Sequence, residues 1–150
     1  MAAEDLPPRP EPPLLVAVSD CLTGATVRFD GGHKHSSLPH ERFEGLYAFR
    51  GFCPELAIGL GVPRDPIQLV GDSAAPRARG VKDPTLDVTE KLEAYADAVA
   101  PTLDDVSGFI FMKNSPSCGL ERVKVYARSG VAPTSNGRGI FAAEIGRAHV

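Results

Sequence analysis

Phe111-Met-Lys-Asn-Ser-Pro-Ser-Cys-Gly119 is the stretch that decides the fold. Residues 108–112, which lead into it, are apolar and short, as a buried strand is. The run stops at Lys113 and Asn114, and Ser115-Pro116-Ser117 then has to turn. Cys118 therefore stands just past the carboxyl end of a strand, where open α/β sheets hold their ligands. Two other stretches repeat the arrangement. Residues 14–19 are apolar and run into Asp20-Cys21-Leu22-Thr23-Gly24, and Gly51-Phe52 runs into Cys53-Pro54-Glu55. The chain has three cysteines, and each lies at such a junction.

Outward from these junctions, strands are expected at residues 14–19, 51–53, 67–70 and 108–112. A short helix is expected over 39–49, with Pro39 in its first turn and Phe43, Leu46 and Tyr47 on one face. One or two helical turns follow Pro54, stopped by Gly59 and Gly61, and Pro63-Arg64-Asp65-Pro66 makes a rigid turn. Residues 71–85 read as a polar loop with an extended piece around Val81. Residues 88–103 form the best-marked helix: Asp87 can cap it, Glu90 stands three residues on, and Val88, Leu92, Tyr95 and Val99 make an apolar stripe. Residues 120–126 suit either a strand or a helix start, 130–139 a loop, and 140–145 the beginning of a helix. Strands alternate with helices, so the expected class is α/β: a single three-layer α/β/α domain with a mainly parallel sheet, Rossmann-like. Residues 1–13, with five prolines and no periodicity, read as a flexible lead-in. Residues 14–145 make the domain. Residues 146–150 read as an atypical tail, as of a truncated chain.

At 150 residues the chain is long enough for one domain with a real core. A net charge of -3 gives no basic surplus for a large nucleic acid, so none is expected as partner. No apolar run reaches the length of a membrane span. The acidic, proline-rich start does not suit a secretory signal. An odd number of cysteines suits reduced thiols better than a disulfide framework, and a cytoplasmic location is expected.

A free cysteine is most often a small buried hydrophobe. Three of them at three strand ends, with no Cys-x-x-Cys pair, point instead to ligands gathered from separate loops at one sheet edge. Thiolates are soft ligands, suited to an iron–sulfur cluster or to zinc. A cube of four irons wants four ligands, so three cysteines would leave one iron open. An open position is also what separates a catalytic zinc from a structural one. Glu55, two residues past Cys53, is either a solvated carboxylate or an acid/base group beside the metal. Ser115 and Ser117 serve the turn, or hold a substrate. Lys34 and Lys113 could balance an anionic site, and Asp30-Gly-Gly-His-Lys34 is a candidate substrate loop. His33 and His35 make a poor zinc pair. Asn136-Gly137-Arg138-Gly139 could bind a backbone or a phosphate.

Four blocks carry a resemblance. Ser19-Asp-Cys-Leu-Thr-Gly-Ala-Thr-Val-Arg-Phe-Asp-Gly-Gly-His-Lys34, Cys53-Pro-Glu-Leu-Ala-Ile-Gly-Leu-Gly-Val-Pro-Arg64, Lys113-Asn-Ser-Pro-Ser-Cys-Gly119 and Asn136-Gly-Arg-Gly-Ile-Phe141 resemble, in this order, the TudS-like thiouracil desulfidase family. The resemblance spans residues 14–144. It implies a [4Fe–4S] cluster held by Cys21, Cys53 and Cys118, and removal of sulfur from a small thiolated pyrimidine. It implies an acid/base role for Glu55 and a hydroxyl role for Ser115 or Ser117. Asp30, Lys34, Lys113 and Asn114 are then the candidate substrate-binding residues. The rival readings are a zinc-dependent hydrolase with three Cys ligands, and a non-catalytic iron–sulfur accessory module. A second, C-terminal domain carried by some relatives is not expected here.

Overall fold

The computed structural model describes residues 14–23, 46–127 and 131–148. The expected lead-in over 1–13 and residues 39–45 of the helix expected over 39–49 lie outside the described residues. Ten strands and helices follow in chain order among the described residues. They are β1 (Leu14–Ser19), β2 (Tyr47–Phe52), α1 (Pro54–Ala57), β3 (Ile67–Val70), β4 (Arg77–Gly80), α2 (Thr89–Val99), β5 (Gly108–Ile110), β6 (Val123–Tyr126), β7 (Thr134–Gly137) and α3 (Ile140–Ala148). The class is α/β, as expected.

The first sheet is wholly parallel, in the order β2-β1-β5. Parallel strands end on the same side, so the turns after β1, β2 and β5 share one edge. The second sheet, β4-β3-β6-β7, is mixed: β3 and β6 run parallel, while β4 and β7 are antiparallel edge strands. Two sheets in place of one are a finding that periodicity alone did not foretell.

Two helices join the sheets. The first half of α2 buries Leu92, with Val88 just before it, among Ile67, Leu69, Ala78, Val123 and Val125 of the second sheet. Its second half buries Ala96 and Val99 with Ala17 of β1 and with Phe141 and Ile145 of α3. A stripe of helical period thus serves two cores in succession. Phe141 is fully buried. Its ring meets Phe109 and Phe111 edge-on, at centroid distances of 5.9 and 6.4 Å, and Tyr95 in a stack at 5.5 Å. Contacts of this kind add about 0.5–1.5 kcal/mol per pair beyond the area buried.

Several local expectations are corrected. Tyr47 and Phe49 belong to a strand, not to a helix over 39–49. Two-residue spacing suits them as well as helical spacing, and pairing with β1 across Leu14 to Ser19 decides between the two. Residues 134–137 are not loop: they pair with β6 as β7, despite three exposed polar positions, because an edge strand needs only one partner. The strand expected over 108–112 is shorter and less buried. Among the described residues β5 pairs with β1 alone, and Gly108 and Ile110 are exposed. Past it, the Met112 N–H still donates to Ser19 Oγ (2.9 Å), so the chain follows β1 to its end. Residues 120–126 resolve as the strand β6. Val88, not Asp87, is the formal cap of α2, although Asp87 Oδ1 accepts the Thr89 N–H (3.0 Å). α3 runs through Gly146 to Ala148, beyond the helix start expected there. No helix among the described residues is long and apolar enough to cross a membrane.

Candidate active site

The three cysteines reach one pocket. Cys21 comes from the 3-10 turn Asp20–Thr23 directly after β1, Cys53 from the residue between β2 and α1, and Cys118 from the turn after β5. The pocket has a volume of about 410 Å³. Ser19, Asp20, Glu55, Arg64, Lys113, Asn114, Ser115 and Ser117 also line it. Of the residues expected from sequence, Asp30, His33, Lys34 and His35 lie outside the described residues. Ser19, Asp20 and Arg64 are pocket residues that the sequence reading gave no role.

Local structure explains how each group is aimed. Pro54 sits at the start of α1, where its missing N–H costs nothing, and it forces Cys53 into an extended backbone. Glu55 follows on the first turn and is drawn inward by two partners. Arg64 Nε lies 3.6 Å from Glu55 Oε1, and Ser117 Oγ donates to Glu55 Oε2 at 3.2 Å. Asn114 takes a left-handed backbone (φ 62°), which asparagine tolerates better than most residues and which turns the chain out of the β5 direction.

The Ser115–Cys118 turn is held from within and from outside. Within it, Ser115 Oγ accepts the N–H groups of Ser117 (3.3 Å) and Cys118 (3.0 Å). Ser115 Oγ and Ser117 Oγ lie 3.1 Å apart. With two N–H groups already on its oxygen, Ser115 is placed to donate its own proton to Ser117. Outside it, the first N–H groups of α3 have no partner in their own helix. Ile140 N–H donates to Pro116 O (3.0 Å) and Ala142 N–H to Ser117 O (3.1 Å). Gly139 N–H donates to Gly119 O (2.7 Å), so the Asn136–Gly139 block does bind a backbone, that of the site itself. A side chain at Gly139 would run into the Ser117 carbonyl. Gly51 similarly leaves room for the Asp20 carboxylate.

The electrostatics set limits on the thiols. Cys118 is 6% exposed and packs into the core shared by β1, α2 and α3, yet it also borders the pocket. Burial pushes its thiol up to about 12, although hydroxyls of Ser19 and Ser117 bond to the sulfur and pull the other way. Burial also raises the thiol of Cys53, against the opposing field of Arg64, and raises the carboxyl of Asp20. A buried thiol of this kind stays neutral in water-excluded surroundings unless a cation faces it. Three thiols lining one pocket, two of them pressed toward the neutral form, fit a soft, positively charged inorganic group. Among the described residues, no group of three or more His, Cys, Asp and Glu side chains stands ready to hold a metal ion.

The chain is similar to known proteins over most of its length. The model of the 2-thiouracil desulfurase family matches residues 16–150. The protein YbbK of Bacillus subtilis (strain 168), described as uncharacterized, is 31% identical over 129 residues, covering 82% of this chain and 85% of its own. The solved structure of the [4Fe–4S]-dependent thiouracil desulfidase TudS is similar with a TM-score of 0.68 and 29% identity. That match covers 89% of this chain and 85% of the other.

Proposed function

Since the chain belongs to the 2-thiouracil desulfurase family, we propose that it is a [4Fe–4S]-dependent desulfidase acting on a small thiolated pyrimidine. The observation that carries this reading is the meeting of Cys21, Cys53 and Cys118 with Glu55 and Ser117 around one pocket. The likeness to a [4Fe–4S]-dependent desulfidase supports this reading over a three-cysteine zinc hydrolase.

Cys21, Cys53 and Cys118 would hold the cluster. When bound, it supplies a Lewis-acidic iron that polarises the carbon of a C=S group. The chain's own residues do the rest. Glu55 takes a proton from the attacking water. The Ser117 bond to its Oε2 supports this role. Ser117, 1% exposed, donates to Glu55 Oε2 and has the Ser115 hydroxyl beside it, and it orients the substrate edge nearest the base. Lys113 and Asn114, exposed at the rim, offer donors to the ring oxygen. The net change is thiouracil plus water to uracil plus hydrogen sulfide. No electrons enter or leave.

Anaerobic reconstitution with iron and sulfide, then assay with 2- and 4-thiouracil, tests the proposal. Bound iron and acid-labile sulfide, with uracil and hydrosulfide as products, are expected. Zinc in place of iron would favour the hydrolase. A loaded chain inert toward free thiouracil would favour an accessory role.

A further inference from the structure

Arg64 is the only arginine among the described residues that line the pocket. Its side chain is 5% exposed and that of Glu55 is 16% exposed. A guanidinium withdrawn from water this far needs partners with defined geometry. One edge of its fork is anchored: Nη1 donates to Gly61 O at 2.8 Å. This bond ties the cation to the loop that carries it. Nε then faces Glu55 Oε1 at 3.6 Å, an ion pair longer than a hydrogen bond. The other oxygen, Oε2, takes the Ser117 hydroxyl. The two carboxylate oxygens thus have separate assignments. A glutamate on a helix of four residues, with three rotatable bonds, would otherwise sample several orientations.

We propose that Arg64 is a positioning residue of the site: anchored on Gly61, it holds Glu55 Oε1 and so keeps Oε2 directed at Ser117 and the reacting water. The inference rests on the desulfidase reading for its kinetic consequence, but not for its structural one. An arginine that merely closes a surface ion pair would be exposed and would have no effect on turnover.

The test compares wild type, Arg64→Gln, Glu55→Gln and the double variant as cluster-loaded proteins, with a crystal structure of Arg64→Gln in metal-free form. Arg64→Gln should keep its iron content and its KM while kcat falls roughly 10²-fold, the scale of a misplaced catalytic group. It should add nothing on a Glu55→Gln background, because it acts through Glu55. Arg64→Lys, which keeps the charge but lacks the fork, should recover part of kcat, and it carries the comparison if Arg64→Gln does not fold. In the crystal, Glu55 Oε2 should leave Ser117. An unchanged kcat, an equal fold-loss on both backgrounds, or a Glu55 still bonded to Ser117 in the variant crystal would each overturn the proposal. A wild type that turns over no thiouracil would sink the desulfidase reading instead, and the crystal comparison alone would then decide the role of Arg64.

Discussion

Ser117 Oγ donates to Glu55 Oε2 across 62 positions of sequence, and the bond joins the turn after β5 to the turn after β2. Between them these two turns carry Cys118 and Cys53. The bond therefore places a hydroxyl and a carboxylate beside two of the three sulfurs.

The two serines of the turn should separate by assay. Ser117→Ala removes the group that bonds Glu55, and its kcat should fall by roughly 10²-fold, in the range of acid–base assistance. Ser115→Ala leaves the N–H groups of Ser117 and Cys118 without their acceptor and should cost about 1–3 kcal/mol of stability. Denaturant midpoints and single-turnover rates on both variants distinguish a functional hydroxyl from a structural one.

Glu55→Gln keeps the shape of the carboxylate and removes its basicity. Turnover should drop by roughly 10²–10⁴-fold, the usual contribution of a positioned base, while iron content stays at the wild-type level. A variant that loses both together would show that Glu55 supports the cluster rather than the chemistry.

In the metal-free chain, Cys118 introduces a pH dependence. Its folded-state thiol titrates at about 12, against an ordinary value of 9.0, because burial disfavours the thiolate. A raised folded pKa means the folded state keeps a proton that the unfolded chain gives up. Stability is then complete below pH 9.0 and declines as pH rises toward 12. Thermal unfolding of the metal-free protein should show that decline, and Cys118→Ala should flatten it. Metal uptake must displace the same proton, so loading should release acid and slow as pH falls.

Gly139→Ala should test how rigidly α3 holds the turn. The added methyl would press on the Ser117 carbonyl, and overpacking of this kind costs about 1–3 kcal/mol. The Ser117–Glu55 bond should lengthen with it, so turnover should fall although no group at the site has changed. Chemical denaturation and an activity assay on one preparation check both effects.

The parts of this structure that could be read from the chain were those set by short-range patterns. An apolar run broken by a polar turn marks a strand end, and that pattern located Cys21, Cys53 and Cys118 at one sheet edge. The Val88–Val99 stripe likewise identified α2, although only the structure shows that its two halves face different sheets. What escaped was set by partners distant in sequence. β7 is polar at three of four positions and exists because β6 lies beside it. Tyr47 and Phe49 fit two periods, and only register with β1 chooses. Arg64, charged and next to prolines, reads as a surface turn until its loop folds back onto Glu55. Ser19 looks like the end of a strand, but it is buried against Met112 and Cys118.

The central claim is that three strand-end cysteines hold one cluster and leave one iron without a protein ligand. An anomalous difference map at the iron edge, from crystals of the anaerobically loaded protein, tests it directly. The account predicts iron density within reach of Cys21, Cys53 and Cys118, with one iron facing Glu55 and Ser117 and bonded to no side chain. Iron elsewhere, a single metal peak, or a fourth protein ligand would contradict it.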